Sequence, residues 1–242
     1  GDTVVLEKGG DVIPKVVSVE LDSRPTRSDA FVFPSSCPAC GAQVVRDPEE
    51  AAIRCENPAC SAQLKRRLQH FAARNALDVE GLGPAVIEQL VDRELVRDVG
   101  DLYDLDLETL TDLDRFGEKS AKNLLAGLEN SRSRTFDRVL FALGIRHVGS
   151  TVARTLARQF LSADKLQNAS VEELEEVDEI GPTIARTVHG FFDTPDSLAV
   201  LDKLKHAGLQ LEMEPAAEVA SNFSGKTVVL TGTLSGFSRT EA

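Results

Sequence analysis

Cys37, Cys40, Cys55 and Cys60 are all the cysteines in the 242 residues, and they fall close together with the spacing C-x2-C-x14-C-x4-C. Two close pairs on turns, separated by a short variable loop, can converge four thiolates on one tetrahedral ion. The ligand set is soft and leaves no open position, which suits a structural Zn²⁺ and not a catalytic one. A disulfide scaffold would need more cysteines spread along a smaller chain. The four histidines, His70, His147, His189 and His206, show no spacing to a nucleophile or to one another that suggests catalysis. They read as surface or packing residues.

The elements that carry the rest of the chain repeat. Val79-Glu80-Gly81-Leu82-Gly83, Leu113-Asp114-Arg115-Phe116-Gly117, Ile145-Arg146-His147-Val148-Gly149 and Val177-Asp178-Glu179-Ile180-Gly181 share one form: apolar, two variable positions, apolar, glycine. The closing glycines are 34, 32 and 32 residues apart, a period that marks an array of two-helix units. Glycine suits a turn that needs φ > 0 or close backbone approach. A helix beginning after such a turn has amide groups without internal partners and can seat a phosphate. This pattern resembles the helix-hairpin-helix, a module that grips DNA backbone without reading sequence. The resemblance implies contacts from Gly81, Gly83, Arg115, Gly117, Lys119, Arg146, His147, Gly149 and Ser150. Glu179 repels phosphate, so the fourth hairpin is expected to be structural. A helical repeat packing only against itself is the bland alternative, and four copies in register weigh against it.

The net charge of −12 argues against a nucleic-acid partner only if its distribution is ignored. Lys65, Arg66, Arg67 and Arg74 lie in an acid-free stretch, and six arginines between Arg132 and Arg158 face Asp137 alone. The acids gather at 98–114 and 172–179. Basic faces of that kind can bind phosphate despite an acidic total. The chain has no apolar run near 18 residues and no basic-then-apolar leader. A cytoplasmic, nucleoid-associated protein with no membrane partner is the expectation.

Along the chain, Thr3–Lys8 and Val16–Leu21 read as strands divided by Gly9-Gly10-Asp11 and Pro14. Leu64, Leu68, Phe71 and Ala72 then form one face of a helix whose other face is basic. Helices are expected at 85–91, 121–130, 136–143, 152–160 and 184–192, with caps such as Asp106, Asp112 and Ser170 between them. Ser170-Val171-Glu172-Glu173 has the form of a capping box. Glu212 to Ser221 reads as a linker.

The junction Asn57-Pro58-Ala59-Cys60-Ser61-Ala62-Gln63, His70-Phe71-Ala72-Ala73-Arg74 and Val79-Glu80-Gly81-Leu82-Gly83 resembles that of bacterial-type NAD-dependent DNA ligases. Gly1–Pro14 is similar to the end of their OB-fold, although Gly9 stands where those enzymes usually have alanine. Phe223–Leu234, followed by Ser238-Arg239-Thr240-Glu241, resembles the start of a BRCT domain.

The likeness covers nearly the whole chain. It implies a multidomain, mainly α protein: the end of an OB-fold at 1–34, a four-cysteine zinc finger at 35–62, a four-hairpin domain at 63–214, and a linker with the first BRCT strand at 215–242. Such ligases take AMP from NAD on a lysine in a Lys-x-Asp-Gly setting, with Mg²⁺. Lys8-Gly9-Gly10-Asp11 does not match, and no other lysine does better. The resemblance therefore implies a monomeric C-terminal portion. It would hold nicked duplex for a nucleotidyltransferase domain outside this chain and do no chemistry itself. A stand-alone zinc and hairpin scaffold, part of a repair nuclease, and a protein-interaction repeat are the alternatives.

Overall fold

The computed structural model describes residues 1–10, 13–24, 29, 31–46 and 52–215. The BRCT-like stretch lies outside them, as does the linker beyond Pro215. Two compact units result, Gly1–Ala62 and Gln63–Ala242.

The first unit carries two antiparallel pairs. β1 (Val4–Gly9) pairs with β2 (Ile13–Val19), with Val4 opposite Val19 and Lys8 opposite Pro14. Pro14 thus lies within β2 and does not precede it, which an edge position allows because no ladder amide is needed there. Leu21, the expected end of the strand, opens a 3-10 turn (Leu21–Ser23) instead. β3 (Val44–Arg46) and β4 (Ile53–Cys55) form the second pair.

The second unit is a helical array built twice. Its first half contains α1 (Ser61–Ala72), α2 (Pro84–Asp92), a 3-10 turn (Gly100–Asp104), α3 (Leu107–Thr111) and α4 (Glu118–Ser131). The second half repeats the order with α5 (Phe136–Ala142), α6 (Ser150–Phe160), α7 (Ala163–Asn168), α8 (Val171–Glu175) and α9 (Pro182–Asp193). α10 (Pro195–His206) follows. The short α3, α7 and α8 escape a periodicity reading because one turn and a half cannot display a 3.6-residue period. Two of the expected caps do start helices: Asp106 accepts from the Thr109 amide, and Ser170 with Glu173 forms a complete capping box. Asp112 instead closes α3 at its C-terminal end. None of the described helices is long and apolar enough to cross a membrane.

Each half has its own apolar core, and two helices belong to both. Val139 and Ala142 of α5 join the core around Leu68, Phe71, Leu90 and Leu124, whereas Phe136 and Leu140 face Leu156, Leu166 and Val188. α10 divides likewise, Leu204 to the first core and Leu201 to the second. Glu212, read as the beginning of a linker, bridges to Ser162, and the Met213 amide donates to the Leu161 carbonyl. The fold therefore takes in the first two residues of the stretch read as a linker, within the expected domain limit of 214.

Arginines close the seam between the halves. Arg138 donates to the Ala76 carbonyl at 2.6 Å and the Arg74 carbonyl at 2.5 Å. Arg134 reaches the Leu77 carbonyl at 3.2 Å and Asp78 at 2.9 Å. These carbonyls lie where α1 gives way to the first hairpin, where helical partners run out. Arg132 lies over the Tyr103 ring and pairs with Glu129. The run from Arg132 to Arg158, expected to form one basic face, therefore serves partly as internal bracing.

Arg138→Met keeps much of the side-chain length but strands the Ala76 carbonyl, whose residue is fully buried. Stability should fall by about 1–3 kcal/mol, read as a lower denaturation midpoint with an unchanged denaturant slope.

Candidate metal centre and nucleic-acid interface

The sulfurs of Cys37, Cys40, Cys55 and Cys60 all lie within 4.8 Å of one another. A tetrahedral Zn²⁺ with bonds of about 2.3 Å needs sulfur–sulfur edges of about 3.8 Å. Cys40 and Cys55 are already 3.6 Å apart. Backbone turns create the cluster. The Cys37 amide donates to Ala42 at 2.7 Å, and the Gly41 amide returns to Cys37 at 2.8 Å with Gly41 at φ +74°. β4 delivers Cys55, and the turn after it delivers Cys60, whose amide donates to Asn57. Asn57 also directs its side-chain amide at the Cys40 sulfur, 3.5 Å away, a contact that the cysteine spacing does not reveal.

The Ala42 amide and the Asn57 side chain hold the Cys40 thiol down at about 6. Cys55 is pushed up to about 12: the Asn57 amide pulls it down, but burial and the neighbouring cysteines outweigh that pull. Crowded thiols cannot all ionise by themselves, and a bound dication removes that conflict. Residues and geometry fit a structural zinc with four thiolate ligands.

The hairpins depart from the expected turn geometry in one respect. Gly83, Gly117, Gly149 and Gly181 have φ of −84°, −78°, −80° and −85° with ψ between 166° and 176°. That is extended backbone open to any residue, and a Cβ there would meet nothing within 4 Å. The left-handed residue lies two positions earlier, at Gly81 (φ +87°), Arg115 (+59°), His147 (+65°) and Glu179 (+68°). The closing glycines are instead the N-caps of α2, α4, α6 and α9, and none has a side chain to cap its helix. The first amides of these helices therefore have no intrahelical partner and a clear approach. Pro84 and Pro182 remove one such amide from the first and fourth helices, whereas Glu118 and Ser150 keep it in the second and third.

The remaining predicted contacts sit around these turns. Arg115, Lys119, Arg146, His147 and Ser150 are exposed. Arg146 and His147 have internal interactions as well. A Cβ at Gly81 would lie 3.4 Å from the Leu124 backbone of α4, and Gly127 of α4 passes so close to Glu80 that a Cβ would come within 2.8 Å of its carbonyl oxygen. Gln89 of α2 exchanges hydrogen bonds with the backbone of Asp114, so the second turn is tied to the first hairpin's helix. The candidate residues thus occupy three separate turns and do not converge on one pocket.

Two outcomes follow. Gly117→Ala and Gly181→Ala should change the melting temperature little, whereas Gly81→Ala should cost about 1–2 kcal/mol because its φ is positive. Removing the ion with a chelator, or Cys37→Ser, should abolish hydrogen-exchange protection in residues 36–60 first. The far-UV circular dichroism of the helical array should be largely retained.

Comparison with known families agrees with this geometry. Residues 36–62 match the NAD-dependent DNA ligase C4 zinc finger domain, residues 73–130 a SAM-like helix-hairpin-helix tandem, and residues 138–201 a helix-hairpin-helix motif. The whole chain is 50% identical to part of a DNA ligase of Heliobacterium modesticaldum and 48% identical to one of Legionella pneumophila (strain Paris), covering 36% of each. A DNA ligase of Bacillus mycoides is 46% identical, with 37% of it covered. The chain thus spans a little over a third of these relatives. With four thiols placed for one ion and paired hairpins matching models in the same order, the chain is similar throughout to part of a DNA ligase and carries the zinc finger domain of the NAD-dependent DNA ligases followed by helix-hairpin-helix units.

Proposed function

We propose that the chain is the DNA-holding C-terminal portion of an enzyme that joins 5′-phosphate and 3′-hydroxyl ends at nicks in duplex DNA during replication and repair. NAD and Mg²⁺ would act in a nucleotidyltransferase domain outside these residues, and the adenylated lysine would come from there. This portion contributes by positioning: it holds the duplex so that the two ends stay in line, which lowers the entropic part of the barrier. The protein acts as a monomer in the cytoplasm, on the nucleoid. The domain limits proposed are 1–34, 35–62, 63–214 and 215–242, with the hairpin domain reaching at least to Met213, whose amide is bonded to Leu161.

The observation that carries this reading is the set of glycine N-caps. At 83, 117 and 149, as at 181, nothing among the described residues requires glycine, and the absence of a side chain leaves room for something approaching from outside. A phosphodiester suits bare helix amides. Gly81, Arg115, Lys119, Arg146, His147 and Ser150 flank these amides and supply shape and charge. Since phosphate contacts position a protein without specifying sequence, binding is sequence-blind. In the fourth hairpin Asp178 and Glu179 are exposed beside Gly181. Their charge opposes phosphate, and this turn serves the fold.

Fluorescence titration of a nicked duplex at several salt concentrations tests the division of labour. Gly117→Val and Gly149→Val should each weaken binding on the order of tenfold, the equivalent of a lost charge-assisted hydrogen bond. Gly181→Val should leave affinity nearly unchanged, and all three proteins should stay folded. Gly181 is no more strained than the other three closing glycines, so affinity and not stability is the property that singles it out. Equal affinity losses in all three would overturn the assignment of the fourth hairpin.

A further inference from the structure

One helix brings basic side chains to the third hairpin without belonging to it. Arg66, Arg67 and His70 of α1, together with Leu143, Gly144 and Val148, line an open hollow of about 260 Å³. Residues 66 and 70 stand one turn apart, and 67 and 70 three residues apart, so all three share a side of the helix. The docking of this side is well determined. His70 Nε2 donates to the Phe141 carbonyl at 2.8 Å, and its ring meets Phe141 edge to face at 4.7 Å. Gly144 takes φ +68°, where glycine is favoured, and a Cβ there would lie 3.4 Å from the His70 ring, so the turn sits directly against α1. Lys65 faces elsewhere, with its ammonium 2.7 Å from Asp92.

No acidic residue is among those lining this hollow. The hollow beside the fourth hairpin differs, since Arg158 there shares the space with Asp178 and Glu179. Two guanidinium groups above an apolar wall form a receptor for a doubly oxygenated anion, because each can donate two parallel hydrogen bonds. Val148 immediately precedes Gly149, so the hollow adjoins the helix start already assigned to the backbone.

We infer that Arg66 and Arg67 form an anion site with the third hairpin and hold one DNA phosphodiester there. The site rests on the reading of the chain as a DNA-holding segment and adds a contact from a helix outside the hairpin motifs. It makes the third hairpin the one gripped from two sides, by its own helix start and by α1.

The test compares the unaltered chain, Arg66→Gln/Arg67→Gln, Lys65→Gln and Gly117→Val on a nicked duplex across a salt series, with melting temperatures recorded. The double variant should lose affinity on the order of tenfold, and its salt dependence should fall by about 0.9 in slope, one phosphate's worth of released counterions. Lys65→Gln removes a charge from the same helix and should change neither quantity appreciably. If the double variant melts early, Arg66→Gln alone gives the reading, because it leaves Arg67 and its internal interaction in place. An unchanged slope and affinity, or equal losses in Lys65→Gln, would overturn the site while Gly117→Val still weakened binding. No affinity of the unaltered chain for the duplex would overturn the underlying reading instead.

Discussion

Every hairpin depends on two apolar anchors three residues apart with a left-handed residue between them. Val79 and Leu82, Ile145 and Val148, and Val177 and Ile180 are buried, as is Leu113, with Phe116 packed at the edge of the core. Burying both anchors forces the chain between them outward, and the third residue of each turn crosses into positive φ to bring the chain back. Glycine fills that position once. Arginine, histidine and glutamate fill it otherwise, at an expense of about 1–2 kcal/mol each that burial of the anchors offsets. The closing glycine is then presented in extended conformation at a helix start. Core packing, through this chain of constraints, exposes the amides on which the proposed DNA contact relies.

Much of this was legible in the residues. The cysteine spacing carries the metal centre because two close pairs have few other ways to arrange four thiols. The hairpins announce themselves by period. What the pattern conceals is the division of labour inside each turn: apolar-x-x-apolar-glycine suggests a strained closing glycine, but the strain sits two residues earlier. Composition cannot distinguish a residue that is small because the chain needs φ > 0 from one that is small because something outside needs room.

Charge was the least legible property. Counting cations along the chain suggests a continuous basic surface from Arg132 to Arg158, yet Arg134 and Arg138 serve backbone carbonyls some sixty residues away. Within α1, adjacent Lys65 and Arg66 have different surroundings, one paired with Asp92 and the other beside an open hollow. Such assignments depend on which element packs alongside, and this long-range information is absent from any local window. Asn57 behind Cys40 was hidden for the same reason.

The two-sided character of α5 and α10 bears on how the array can be divided. The chain reads as a tandem duplication, and sequence matching separates residues 73–130 from 138–201 without difficulty. In space the boundary runs through single helices, whose opposite faces complete different cores. The second half alone would leave Val139 and Leu204 without their partners, and the first half alone would lack those two residues from its core. Packing of this kind makes the array one cooperative object, so an exchange by recombination that split α5 or α10 from either neighbouring core would leave that core incomplete.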